Sequence, residues 1–162
     1  MNWTDMVNLL SAPPSGGTGV ASAAPGHLTQ DLVLSEKNVR HARRIVVESV
    51  CMWGHDHVAF DVGIVVNELL TNVLQHADLP RHGAAKRARL VVQVLLARLV
   101  VVVHDDDPTM PKERQADQDD LNGRGLGLIR GLAAELTFVP VEGGKDAVAV
   151  FSLEASTKEA AA

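Results

Sequence analysis

The run from His57 to Ala77 restricts the fold more than any other stretch. Val58, Val62, Val65, Val66, Leu69 and Val73 recur at helical spacing, while Asp61, Asn67, Glu68, Thr71, Asn72, Gln75 and His76 fill the opposite half. One face is therefore core, and the other is water or chemistry. Within the polar half, Glu68, Asn72 and His76 stand at steps of four, each of which drifts only about 40° around a helix, so they form one strip. A strip of this kind is either a solvated helix face or a site, and the helix alone does not decide between them.

At 162 residues the chain fits one domain able to bury its own core. Its single cysteine, Cys51, has no internal disulfide partner, which points to a reducing compartment, and no basic cluster adjoins it to make it a nucleophile. The formal net charge of −5 argues against a nucleic-acid binder. No basic segment followed by an apolar one opens the chain, and the longest apolar run, 90–103, is broken by Gln93 and Arg98 and too short for a bilayer. The expectation is a soluble cytoplasmic protein with no membrane attachment. Aromatic residues are scarce, so the core must be aliphatic.

Taken in order, residues 1–27 read as a flexible extension rich in Ser, Pro and Gly, with Trp3, Met6, Leu9 and Leu10 at helical spacing. His27 to Leu34 reads as a strand, and Ser35 as the N-cap of a helix from Glu36 to about Trp53, closed by Gly54. After the central helix, Asp78-Leu79-Pro80 through Gly83 marks a break. Arg87 to Leu95 and Leu99 to His104 are valine-rich and form a hairpin. Residues 105–122 are almost wholly polar and suit a lid or a mobile loop, and their carboxylates do not match a calcium-loop spacing. Gly123-Arg124-Gly125-Leu126-Gly127-Leu128 then forms a turn entering a second helix, where backbone amides and the helix N-terminus favour a phosphate. Strands at Glu135 to Val141 and Ala147 to Leu153 flank the turn Glu142-Gly143-Gly144-Lys145, and 154–162 is a tail.

Three features thus stand in sequence: a helix carrying Glu68, Asn72 and His76, a strand ending at Asp105 before a long polar loop, and the glycine turn. Together they resemble the ATP-binding domain of the GHKL, or Bergerat, superfamily. Asn67-Glu68-Leu69-Leu70-Thr71-Asn72 with His76-Ala77, and Gly123-Arg124-Gly125-Leu126-Gly127-Leu128, are most similar to the stand-alone anti-sigma serine kinases of actinobacterial type. The resemblance covers residues 28–153. It implies an α/β two-layer sandwich, with a mixed, mostly antiparallel sheet and helices on one face.

The resemblance also implies roles. Asn72 would supply an oxygen to Mg²⁺, Glu68 would act as general base toward a serine hydroxyl, and Asp105 would accept a hydrogen bond from the adenine amino group. Gly123, Gly125 and Gly127 would lie beside the ATP phosphates, with Arg124, Leu126, Thr71 and His76 in the same nucleotide-binding surface. The implied partners are a sigma factor and an anti-anti-sigma protein of the STAS type, and a homodimer is compatible with the resemblance. One segment departs from the family pattern Asp-x-Gly-x-Gly: Asp105 is followed by Asp106, Asp107, Pro108 and Thr109, a Pro-containing variant that many actinobacterial relatives share. Carboxylate there, and at Asp117, Asp119 and Asp120, would repel phosphates and weaken nucleotide binding. Three readings stay open: an ATP-dependent kinase acting on the antagonist, a non-catalytic regulator with the same fold, and the ATPase half of a split sensor kinase.

Overall fold

A computed structural model describes residues 21–77, 84–111 and 124–154. Six strands and three helices follow in the order β1 (Ala21–Ala24), β2 (His27–Val33), α1 (Glu36–Met52), α2 (Asp56–His76), β3 (Arg87–Leu95), β4 (Arg98–Asp105), α3 (Arg124–Leu132), β5 (Glu135–Val141) and β6 (Gly144–Ser152). The strands form one sheet in the order β1-β2-β3-β4-β6-β5. Each of its pairings is antiparallel, so the sheet is not mixed as expected. The two-layer α+β architecture stands as expected.

The helices lie on one face because alternate strand residues supply an apolar surface there. Leu90 and Val92 of β3, Leu99, Val101 and Val103 of β4, and Ala147, Ala149 and Phe151 of β6 share one buried cluster with Val46 and Val50 of α1, Ile129 of α3 and the stripe of α2. In α2 that stripe is Val62, Val65, Val66, Leu69, Leu70 and Val73, all 6% exposed or less. By length and composition α2 would also qualify as a membrane span, but this stripe packs it on the sheet as the core helix of the domain.

Local signals account for most boundaries. Ser35 is extended and its hydroxyl accepts from the Asn38 backbone N–H at 3.1 Å, as an N-cap should. The C-cap of α1 is Trp53, one residue before the expected Gly54. The β3–β4 turn is only Leu96-Ala97, and Leu96 takes a positive φ of 55°, a conformation two-residue hairpins demand and leucine rarely supplies. Residues 21–24, expected within the flexible extension, instead pair with β2 around Pro25-Gly26, where Gly26 has φ 72°. Gly125 and Gly127, expected in a turn before a helix, lie inside the first turn of α3. The expected lid 112–122, Gly123, the break at 78–83 and the tail after Glu154 lie outside the described residues.

α1 and α2 meet closely at Gly63, where an added Cβ would stand 2.5 Å from Val47 Cγ2. Valine cannot swing aside freely, since branching at Cβ restricts χ1. Gly63→Ala is therefore expected to destabilise the domain by about 1–3 kcal/mol through overpacking, in spite of the better helix propensity of alanine. Chemical denaturation checks this, and an unchanged midpoint would show that the two helices part without cost.

Candidate functional site at the junction of α2, α3 and β4

With the apolar stripe of α2 pressed on the sheet, Glu68 and Asn72 come to its flank, both half-buried, where α3 packs alongside. Their oxygens converge on one position. A Cβ built on Gly125 would lie 2.9 Å from Glu68 Oε2 and 3.8 Å from Asn72 Oδ1. A glycine there leaves the carboxylate and the amide facing the start of α3, whose first-turn N–H groups have no intrahelical acceptors. Asn67 Nδ2 stands 3.5 Å from Glu68 Oε1, a long contact that steadies the carboxylate weakly at best. Thr71 is half-buried beside them in the same helix, and Leu126 packs against the core. Gly127 has open space around it, and His76, the last residue of α2, is exposed. Gly123 and the side chain of Arg124 lie outside the described residues.

The C-terminal end of α2 is tied to the sheet end that carries Asp105. Lys86 Nζ donates to the Leu74 carbonyl at 2.7 Å, satisfying one of the helix's last free carbonyls, and Lys86 leads directly into β3. In β3, Ala88 pairs with Asp105, and Asp105 in turn pairs with Lys145 of β6. Glu68, Asn72 and Asp105 therefore belong to one end of the two-layer sandwich. The sequence brings them there from three separate elements.

Around Asp105 the structure holds a feature the sequence did not reveal. Lys145 Nζ lies 3.0 Å from Asp105 Oδ1 and donates to the Asp107 carbonyl at 2.7 Å, and the Asp107 N–H donates to the same Oδ1 at 2.8 Å. Asp107 folds its carboxylate inward to accept from the Thr109 N–H at 2.9 Å. Asp105, Asp107 and Lys145 are all at most 8% exposed. Burial raises the Asp105 carboxyl above its usual range, and the Lys145 ammonium and the Asp107 N–H oppose that rise. The expected repulsion from carboxylate after Asp105 is thus met at this end by a buried cation, while Asp105 Oδ1 is already engaged.

On the opposite face of β4, His104 Nδ1 donates to Asp146 Oδ1 at 2.7 Å, with Asp146 fully buried. That hydrogen bond raises the His104 pKa above the ordinary 6.5, although burial works against it. Cys51 is half-buried, and burial together with neighbouring Asp56 pushes its thiol up, away from nucleophilic behaviour.

Two outcomes follow for the charged groups. Lys145→Met strips a buried carboxylate of its cation and is expected to cost about 3–5 kcal/mol near neutral pH. The deficit should shrink on acidification as Asp105 takes up a proton; a pH-independent deficit in denaturation experiments would contradict the pairing. For His104, the folded state keeps its proton to higher pH than the unfolded chain. Its contribution to stability is then complete below about 6.5 and is lost as pH rises through the folded value. Imidazole NMR titration should place His104 above the ordinary value and Asp146→Asn should bring it down.

Two solved structures that resemble the chain are the Erythrobacter litoralis EL346 blue-light activated histidine kinase, at 31% identity and TM-score 0.47, and the histidine kinase domain of the same protein, at 22% and 0.49. The first match covers 60% of this chain and 31% of the kinase, and the second 82% of this chain and 65% of the kinase domain. The chain thus spans about a third of the first of these. A comparison with the curated proteins finds no match. The model of the histidine kinase-like ATPase domain matches residues 32–151, from the end of β2 through β6, and so takes in α2, Asp105 and α3 together. The chain belongs to the histidine kinase-like ATPase domain family, of GHKL type.

Proposed function

We propose that this domain binds Mg-ATP at the α2–α3 junction and works in the cytoplasm as an anti-sigma switch. In this reading it sequesters an alternative sigma factor and phosphorylates a serine or threonine of an anti-anti-sigma protein of the STAS type. The observation that carries the reading is the convergence of Glu68 Oε2 and Asn72 Oδ1 on Gly125 at the start of α3. The donor set suits the nucleotide's metal: Mg²⁺ is hard, takes oxygen, and needs few protein ligands when phosphates and water supply the rest. Asn72 would hold that ion. The free N–H groups at the start of α3, with Gly125 and Gly127 adding no side-chain bulk, would receive phosphate oxygens.

Mg²⁺ bound there would offset charge on the transferring phosphoryl group. Glu68 is then placed to accept the proton of an incoming hydroxyl, and its half-buried setting limits competing water. Asp105 offers a carboxylate acceptor to an exocyclic amine at the base end. With label on the γ-phosphate of ATP, transfer to the cognate antagonist is expected, and Glu68→Ala should slow it by about 10²–10⁴-fold. Undiminished transfer in that variant would remove Glu68 from the role of base.

A second reading, a regulator that keeps the fold and partner surface without catalysis, is favoured by one observation. Asp105 Oδ1 already accepts from Lys145 and Asp107, so part of the base-recognition carboxylate is engaged from within the chain. The two readings diverge in co-purification from cytoplasm. Partner capture that shifts when Mg-ATP is added supports the kinase switch, and capture indifferent to ATP supports the regulator.

A further inference from the structure

All three helices described lie on one face of the sheet, yet the other face is also dry. Val91, Val100, Val102 and Val148 form a separate cluster with no helix residue in it, joined by Leu95 and Val139, and the four valines are 1–4% exposed. Beside them on the same face Asp146 is fully buried against His104. The uncovered face of an antiparallel sheet ordinarily meets water and carries polar residues. Valines of this exposure on a face without helices require a covering layer.

Sequence composition narrows the candidates within the chain. The segment 112–123 has Leu121 as its one large apolar residue, 78–83 has only Leu79 and joins α2 to β3 on the helical side, and 155–162 contributes nothing apolar beyond alanine. Residues 1–20 alone hold a substantial apolar set, with Trp3, Met6, Leu9 and Leu10 at the spacing of one helix face. They also enter at the right place. The segment runs into edge strand β1, from which β3, β4 and β6 lie two to four strands away, roughly 10–19 Å at the usual strand spacing. Residues 11–20, rich in Ser, Pro and Gly, span roughly 30 Å when extended, enough to return across the sheet.

We propose that the second face of the sheet docks the chain's own N-terminal segment, residues 1–20, with Trp3, Met6, Leu9 and Leu10 against the cluster of Val91, Val100, Val102 and Val148. The domain is then three layers deep, and the segment closes a surface that would otherwise invite association.

The chain has two tryptophans, so Trp53→Phe in the 162-residue chain leaves Trp3 as the only emitter. Acrylamide should quench it several-fold less steeply than it quenches a free peptide of residues 1–20, at every protein concentration tested. Introducing Leu9→Asp with Leu10→Asp should restore the steep slope. As a check independent of Trp53, NMR with a soluble paramagnetic agent should leave the methyls of Val100 and Val102 protected in the wild-type chain and relax them in the double Asp variant. Trp3 quenched as steeply as the free peptide overturns the proposal, as does methyl protection that survives the double Asp change. Shielding that vanishes on dilution also overturns it, by assigning the face to a second copy.

Discussion

The rotation of α2 about its own axis decides what this domain can do. Val62, Val65, Val66, Leu69, Leu70 and Val73 bury almost completely against the sheet. Each such side chain stabilises by about 1.5–3 kcal/mol relative to exposure. Turning the helix by one residue would swing this stripe by about 100° and drive polar groups into the core. The packing therefore holds the one rotation in which Glu68 and Asn72 reach the flank where α3 begins. Gly125 completes the arrangement by leaving the space in front of the carboxylate without a side chain.

The sheet end that carries Asp105 rests on a different kind of interaction. Asp105 belongs to a central strand and is nearly buried, a costly place for a carboxylate without a partner. The antiparallel register of β4 and β6 sets Lys145 opposite it, with Lys145 Nζ 3.0 Å from Asp105 Oδ1. The same end of the sandwich thus combines the half-buried flank of α2 beside α3 with a self-satisfied polar cluster at β4 and β6. How a nucleotide competes with or uses Lys145 is the physical difference between the two functional readings.

What could be read in the sequence followed from periodicity and capping. The α2 stripe, the Ser35 cap and the valine runs of β3 and β4 each signal their element locally, and the observed boundaries of these elements agree within a residue or two. The convergence of Glu68 and Asn72 was visible as a strip, because helical geometry fixes it. β1 was missed because Ala21-Ser22-Ala23-Ala24 has no β-branched residue and gains its strand only by pairing with β2. The glycines of Gly125-Leu126-Gly127 suggest a turn, but α3 takes them in because Leu126 and Ile129 pack onto the core. Lys145 gave no signal, since its partner lies 40 residues earlier and only the sheet register joins them.

Calorimetric titration of the full chain with Mg-ATP tests the account most directly. A nucleotide site at the α2–α3 junction requires saturable heat within about 1 mM nucleotide, dependent on Mg²⁺. It also requires Asn72→Ala to weaken binding by roughly tenfold or more, about 1.4 kcal/mol, without lowering thermal stability. Absence of binding in the wild-type chain, or equal affinity in Asn72→Ala, would contradict the assignment of the α2–α3 junction as the nucleotide site.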